Sequence, residues 1–523
     1  MRFSIPLLSS LFFAWAAAKP VVIGYYPSWK RAKMGGVDFS KYTHINIAFS
    51  IPRSDGTFTF EDDWAMGIIS SQIRAGGAKI LMSVGGWTGS NYFSDILKNG
   101  AAREQLLKSM TDYVRDNKLD GIDIDWEYPG RLGNTCNAYD PQNDATNFLA
   151  FLRDLRGRFN AEFGTHGKKL ITLAVRAEPF DQAGRPMNGV AEFARYVDYA
   201  NIMIYDINGP WNPETGPNAP FKYEGGKGTP LSFVSAIDAW TSAGWPANQL
   251  VAGLGFYGRS TVAQQNMMRD SSNQYQPQSH DVPLGDQEDA PWYDACARTT
   301  STSGTWQWKN LRSQGVLTDP HTAAAPWIRN WDKVSQTPWL FNPDTKMFIS
   351  YDDPDSIRIK SNYAASRGLA GLMIWSANMD HNGELLAAAR SFNGNGAGDA
   401  GNSTTISSTS PSSTHTQTPP ASASASTPAL PGHTTSTPAA ETPAPGASGG
   451  LALGSTCSNN GRYQCVDPNG RNAAYLVCVS GRLAAASCAL GTVCLSFQGS
   501  LVCGWPVFRG IVMGLNSLLH GSG

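Results

Sequence analysis

Eight short apolar runs constrain this chain more than any other feature. They are VVIGYY (21–26), HINIAFS (44–50), KILMSVGG (79–86), GIDIDWEY (121–128), KLITLAVRA (169–177), YANIMIYD (199–206), LVAGLGFYG (250–258) and LAGLMIW (369–375). All are rich in β-branched or aromatic residues, and several end in Gly, Pro or Asp, as strands do. Longer segments such as AREQLLKSMTDYVRDNK and NFLAFLRDLRGRFNAEF lie between them, with apolar residues at helical spacing. Strands alternating with helices eight times predict an α/β chain folded as a (β/α)₈ TIM barrel. The gap between Tyr257 and Leu369 is too long for one helix. It predicts an inserted subdomain over about 260–345, then a helix near 354–367.

The fourth run carries the chemistry. LDGIDIDWEYPG (119–130) holds Asp120, Asp123, Asp125 and Glu127. Side chains alternate along a strand, so 123, 125 and 127 share one face and Ile122, Ile124, Trp126 and Tyr128 turn toward the helices. The acids then line the barrel interior at its catalytic mouth. Carboxylates crowded together cannot all ionise, so at least one pKa must rise and a proton is shared. That arrangement keeps one carboxylic acid protonated beside an ionised neighbour. Metal binding competes on composition, but no His lies near these acids and no other strand end offers a second ligand cluster, so we expect no metal and no cofactor. Asp120 has the opposite parity and reads as structural.

Totals exclude other classes. A formal net charge of −1 over 523 residues leaves no basic excess for nucleic acid. MRFSIPLLSSLFFAWAAAKP begins with one Arg, a short apolar run and small residues before Lys19, the layout of a secretory signal over 1–18. No later run of eighteen apolar residues follows, so we expect a secreted, extracellular monomer, free or held at a cell wall, with no membrane partner. From about Asn393 to 453 the chain is rich in Ser, Thr, Pro, Ala and Gly and cannot build a core. It reads as a linker carrying O-glycans, with an N-glycan acceptor at Asn402-Ser403-Thr404. Six of the eight cysteines (Cys457, Cys465, Cys478, Cys488, Cys494 and Cys503) crowd into 454–506 and predict a small disulfide-rich module. Cys136 and Cys296 are left open, paired or free. The tail 507–523 is too short and too polar at its end for a lipid anchor.

DGIDIDWEYPG resembles the DxxDxDxE signature of family 18 glycoside hydrolases, the chitinase family. SVGGW (83–87), MIYD (203–206), GYYPSW (24–29) and LMIWSANMD (372–380) resemble its companion strands in order, over about residues 21–392. The resemblance implies hydrolysis of β-1,4-linked N-acetylglucosamine in chitin and chitooligosaccharides. It implies Glu127 as proton donor, Asp125 to orient the substrate's N-acetyl group, Asp123 to tune Asp125, and Tyr205 to position the acetamido carbonyl. Tyr25 and Ser83 would support the Asp pair, Met203 and Asp206 would line the sugar site, and Trp375 would form its floor. Trp87 and Trp211 would be further stacking platforms, and Phe49 and Tyr128 complete the substrate-binding set. The insertion resembles the α+β insert of one branch, which raises a wall of the cleft. QQNMMRDSSNQYQPQSHDVPLGDQEDAPWYDACARTT departs from that insert without an explanation in the sequence. The cysteine pattern resembles family 19 carbohydrate-binding modules, with Tyr463, Tyr475, Phe497 and Trp505 as stacking candidates. A chitin lectin on the same barrel and an endo-β-N-acetylglucosaminidase acting on N-glycans are the competing readings.

Overall fold

The computed structural model describes residues 19–166 and 168–392, and beyond them the strands Tyr463–Cys465, Ala474–Val479, Arg482–Ser487, Val493–Phe497 and Ser500–Gly504. The chain divides into two units, Met1–Thr404 and Thr405–Gly523.

In the first unit eight strands form the ring: β1 Val21–Pro27, β2 His44–Pro52, β3 Lys79–Gly85, β4 Gly121–Asp125, β5 Leu170–Arg176, β6 Tyr199–Met203, β7 Leu250–Gly255 and β8 Gly371–Trp375. Each pairs in parallel with the next, and β8 pairs with β1 to close the barrel. This is the expected (β/α)₈ barrel. Closure leaves the ring without an open edge.

Period-two alternation sorts the side chains into two cores. Val21, Ile23 and Tyr25 of β1 join Ala48, Ala174, Val251 and Met373 inside the barrel. Val22 and Tyr26 of the same strand join the larger belt between strands and helices. That belt is covered by α1 Met66–Ala75, α2 Phe93–Lys98, α3 Gly100–Asp116, α4 Asp144–Phe163, α5 Phe233–Ser242, α6 Trp308–Ser313, α7 Pro354–Ser366 and α8 Glu384–Ala389. In α3, Leu106, Leu107, Met110 and Val114 are buried at helical spacing. Its start is fixed by Asn99, whose side chain accepts from the N–H groups of Ala101 and Ala102. Helix α7 starts with Pro354 behind an Asp353 cap closed by Ser356.

Between β7 and β8 lies an antiparallel five-stranded sheet. Its order is Thr305–Gln307, Tyr257–Val262, Met347–Ser350, Thr337–Asn342 and Ile328–Asp332. Its own small core is Ala263, Met267, Trp339, Phe341 and Phe348. Cys136 and Cys296, left open by the sequence, form a disulfide.

The strands stop short of the runs that predicted them. β4 ends at Asp125, β6 at Met203, and the run 250–258 breaks after Gly255 to enter the insertion. Past these points the ladder hydrogen bonds of the strand itself stop, so the chain is free to turn. One expectation is corrected by this: Tyr128 does not face the helices by strand parity, because the strand has already ended; it lines the barrel-mouth cavity.

In the second unit, Tyr463–Cys465, Ala474–Val479 and Arg482–Ser487 form an antiparallel sheet. Val493–Phe497 and Ser500–Gly504 form a hairpin with Cys494 opposite Cys503. The side chains of Tyr463, Tyr475 and Phe497, all of Trp505, the expected signal 1–18, the linker and the tail lie outside the described residues. Among the described residues no helix is long and apolar enough to cross a membrane.

Candidate active site

Asp123 is fully buried where five strands converge. It accepts hydrogen bonds from Tyr25 Oη of β1 at 2.7 Å, Ser83 Oγ of β3 at 2.7 Å, Thr172 Oγ1 of β5 at 2.5 Å and Asn201 Nδ2 of β6 at 3.3 Å. Burial pushes its pKa up, and the hydroxyl donors pull it back down. Asp120, by contrast, accepts from the Ile80 N–H at 2.8 Å and pins the start of β3. Its role is structural, as its parity implied.

Asp125 and Glu127 stand above Asp123 and have far fewer partners. Oδ1 of Asp125 is buried without a hydrogen-bond partner among the described residues. Its pKa lies well above the usual carboxylate range, through burial first and then the charges of Glu127 and Asp123. Glu127 is pushed up to about 7, again chiefly by burial; its neighbour Tyr128 opposes the shift and Asp206 adds to it. Backbone contacts hold the acid in place: its N–H donates to Ser90 Oγ at 2.9 Å, and its carbonyl accepts from Asn137 Nδ2 at 2.7 Å. Ser90 Oγ also lies 3.2 Å from the Asp125 carbonyl, so one hydroxyl fixes both segments. A glutamate retaining its proton to about 7 can donate it near neutral pH. The alkaline limb of the kcat/KM profile of any reaction that draws on this proton is therefore expected near pH 7. A limb near pH 5 would remove Glu127 from the role.

These groups open into a cavity of about 740 Å³. Of the sequence-predicted residues, Tyr25, Phe49, Trp87, Asp125, Glu127, Tyr128, Met203, Tyr205, Asp206, Trp211 and Trp375 line it, while Asp123 and Ser83 lie beneath. Trp375 is the centre of an aromatic floor, 5.4 Å from Tyr25 and stacked on Phe49 at 5.8 Å, centroid to centroid. Gly86 makes this possible, since with φ +83° a Cβ there would press to 2.7 Å from the Phe49 ring. Trp87 and Trp211 are each about half exposed at the mouth. Tyr205 packs edge-on against Tyr257 and lies 3.8 Å from the Met373 sulfur.

Sequence reasoning missed Tyr257, Arg259, Trp292, Ser303, Thr305 and Met379, which also line the cavity. Arg259 Nε donates to Asp206 Oδ1 at 2.8 Å, and Arg259 sits over the Trp211 and Tyr257 rings. The alternation of Tyr257 and Arg259 on one strand face was the available signal. Trp292 had none, because it arrives from the stretch that matched no expected insert. Among the described residues no group of three or more His, Cys, Asp or Glu is disposed to hold a metal ion.

Residues 21–380 match the model of glycosyl hydrolases family 18. The chain belongs to family 18. A family relative described as a chitinase-like effector of Moniliophthora roreri is 33% identical over 402 residues, spanning 74% of this chain and 96% of the relative. Chitinase A1 of Niallia circulans is 30% identical over 433 residues, covering 71% of this chain and 58% of that enzyme. Among solved structures, a chitinase of Rhizomucor miehei aligns with a TM-score of 0.66 at 32% identity, over 71% of this chain and 99% of the other. The family 18 match thus spans the ring, the acids and the insertion, and stops before the linker.

Proposed function

We propose that this family 18 protein is a secreted chitinase that cleaves β-1,4-linked N-acetylglucosamine chains with retention of configuration. The observation that carries the reading is Glu127, an intact acid whose pKa is raised to about 7, set beside Asp125 above the Trp375 floor. Retaining two-carboxylate glycosidases use their second acid as nucleophile, but substrate-assisted members do not. Here Glu127 protonates the glycosidic oxygen while the sugar's own acetamido oxygen attacks the anomeric carbon. Asp125, through its unpartnered Oδ1, accepts from the acetamido N–H and balances the charge of the oxazolinium ion. Asp123 supports Asp125 from below, and Tyr205 orients the acetamido carbonyl. Water then opens the ring under the Glu127 carboxylate, which takes back a proton. In the same reading the cysteine-rich unit tethers the enzyme to solid chitin across the linker.

Incubation with a chitin hexamer, with the anomer read at early times, tests this. Release of the β-anomer is expected; the α-anomer would overturn the mechanism. A second reading is a chitin-retaining protein without turnover, favoured by the description of two relatives as chitinase-like effectors. Tight hexamer binding with no product would move it ahead.

A further inference from the structure

The unplaced stretch of the insertion forms a hairpin arm. Strands Trp292–Asp294 and Thr299–Ser301 pair antiparallel, with Cys296 at the turn. The turn is set by Asp294, whose side chain accepts from the N–H groups of Cys296 at 2.7 Å and Ala297 at 3.1 Å. The root is stiff. Buried Asp289 accepts from the N–H groups of Gly285, Ser303 and Gly304, and buried Asp286 from those of Glu288 and Gln307.

The two ends of this arm touch different parts of the rim. At the root, Glu288 pairs with Lys30 at 3.4 Å and Lys33 at 3.8 Å, in the turn that follows β1, and with Lys309 of the insertion at 3.1 Å. At the tip, Cys296 is bonded to Cys136, in the loop that follows β4. The next residue, Asn137, holds the Glu127 carbonyl. β1 and β4 are three strands apart around a ring of eight, so the line between their loops passes over the mouth. Strand spacing near 4.8 Å gives such a ring a width of roughly 15 Å. The eight steps from Glu288 to Cys296 reach up to about 27 Å when extended, enough to cross it. Trp292, midway, lines the same cavity as Asp125, Glu127 and Trp375. The middle of the arm is otherwise exposed, with Tyr293 62% accessible, as a span with solvent above it would be.

We infer that residues 288–301 are a strap across the catalytic cleft, fastened at its tip by Cys136–Cys296, so that the site admits a single glycan chain by threading of a free end. The inference rests on the reading of the cavity as a glycan site and adds the substrate's form. Chains with free ends enter beneath Trp292; chains held at many points do not.

The test uses the full chain with Glu127→Gln, so that nothing is cleaved, and measures association rates. The probes are a free chitin hexamer and carboxymethyl-chitin grafted to a surface at many points. Adding Cys136→Ser/Cys296→Ser is expected to speed association with the grafted polymer about tenfold and to leave the hexamer rate within about twofold. A second variant, Cys136→Ser with residues 291–300 replaced by two glycines, removes the arm altogether and is expected to give the same rise in the polymer-to-hexamer ratio. An unchanged ratio in whichever variant folds overturns the strap. Cleavage of the hexamer by the unsubstituted chain, with no change in the ratio, leaves the hydrolase standing and the strap refuted. No cleavage, with the ratio changed, does the reverse.

Discussion

Glu127→Gln is expected to lower kcat on chitin hexamer by about 10³-fold or more, with hexamer affinity within about fivefold of the parent. Loss of a general acid costs typically 10²–10⁴ in rate, and the amide keeps the carboxylate's shape against the sugar. A residual rate within about tenfold of the parent would transfer the proton to another group. The same substitution should raise the thermal midpoint at neutral pH. The folded state holds the Glu127 proton up to about 7, whereas an unfolded glutamate releases it near its ordinary value of 4.5. Between those values the folded chain binds more protons than the unfolded one, so stability from this group is full below the lower value and is lost as pH rises toward the upper. Glutamine has no proton to lose. The midpoint difference between variant and parent should therefore grow from pH 4.5 to 7 and level off above. A difference that is flat across that window would mean the acid is not desolvated as its burial implies.

The largest stability effect is expected away from the site. Lys360 of α7 and Asp352 just before it are both buried. The Lys360 Nζ lies 2.6 and 2.7 Å from the two carboxylate oxygens, and Ser356 Oγ donates to the same carboxylate at 2.6 Å. Burial lowers the lysine's pKa and raises the aspartate's, and the charge of each partner opposes the other's shift. Lys360→Met should destabilise the barrel by about 3–5 kcal/mol, the cost of leaving one partner of a buried pair uncompensated. Lys360→Met/Asp352→Leu should restore most of that, because the desolvation penalty disappears with both charges. Equilibrium denaturation of the two variants measures it. A double variant as unstable as the single would show that packing, rather than charge, holds α7 down onto β8 and its Trp375.

How far the site could be read depended on which part of the chain each residue came from. Asp123 and Asp125 were legible because two-residue periodicity turns spacing into direction, and the motif order placed Glu127, Trp375 and Tyr205 past or at strand ends. The same rule sent Tyr128 to the wrong side, since alternation lapses once the ladder ends at Asp125. Arg259 and Trp292 reach the cavity through the folding of a long insertion, where contacts are set by tertiary packing and no local period encodes them. The Cys136–Cys296 pairing is of this kind, joining residues 160 apart. The eight-strand ring was readable because each strand declares its own two faces; the hairpin arm was not, because nothing in DAPWYDACA states which loops it will meet.

The four donors on Asp123 have a consequence for how such a protein can change trade. They come from β1, β3, β5 and β6, so this carboxylate is a keystone shared between architecture and chemistry. Glu127 carries no comparable duty; its side chain leans over the cleft while its backbone does the anchoring. A lineage that keeps the cavity but gives up the proton can discard the glutamate in a single step, with the barrel and the aromatic floor intact. The reverse path, discarding Asp123 first, would strand four buried donors at once and jeopardise the fold before any gain in binding could be felt.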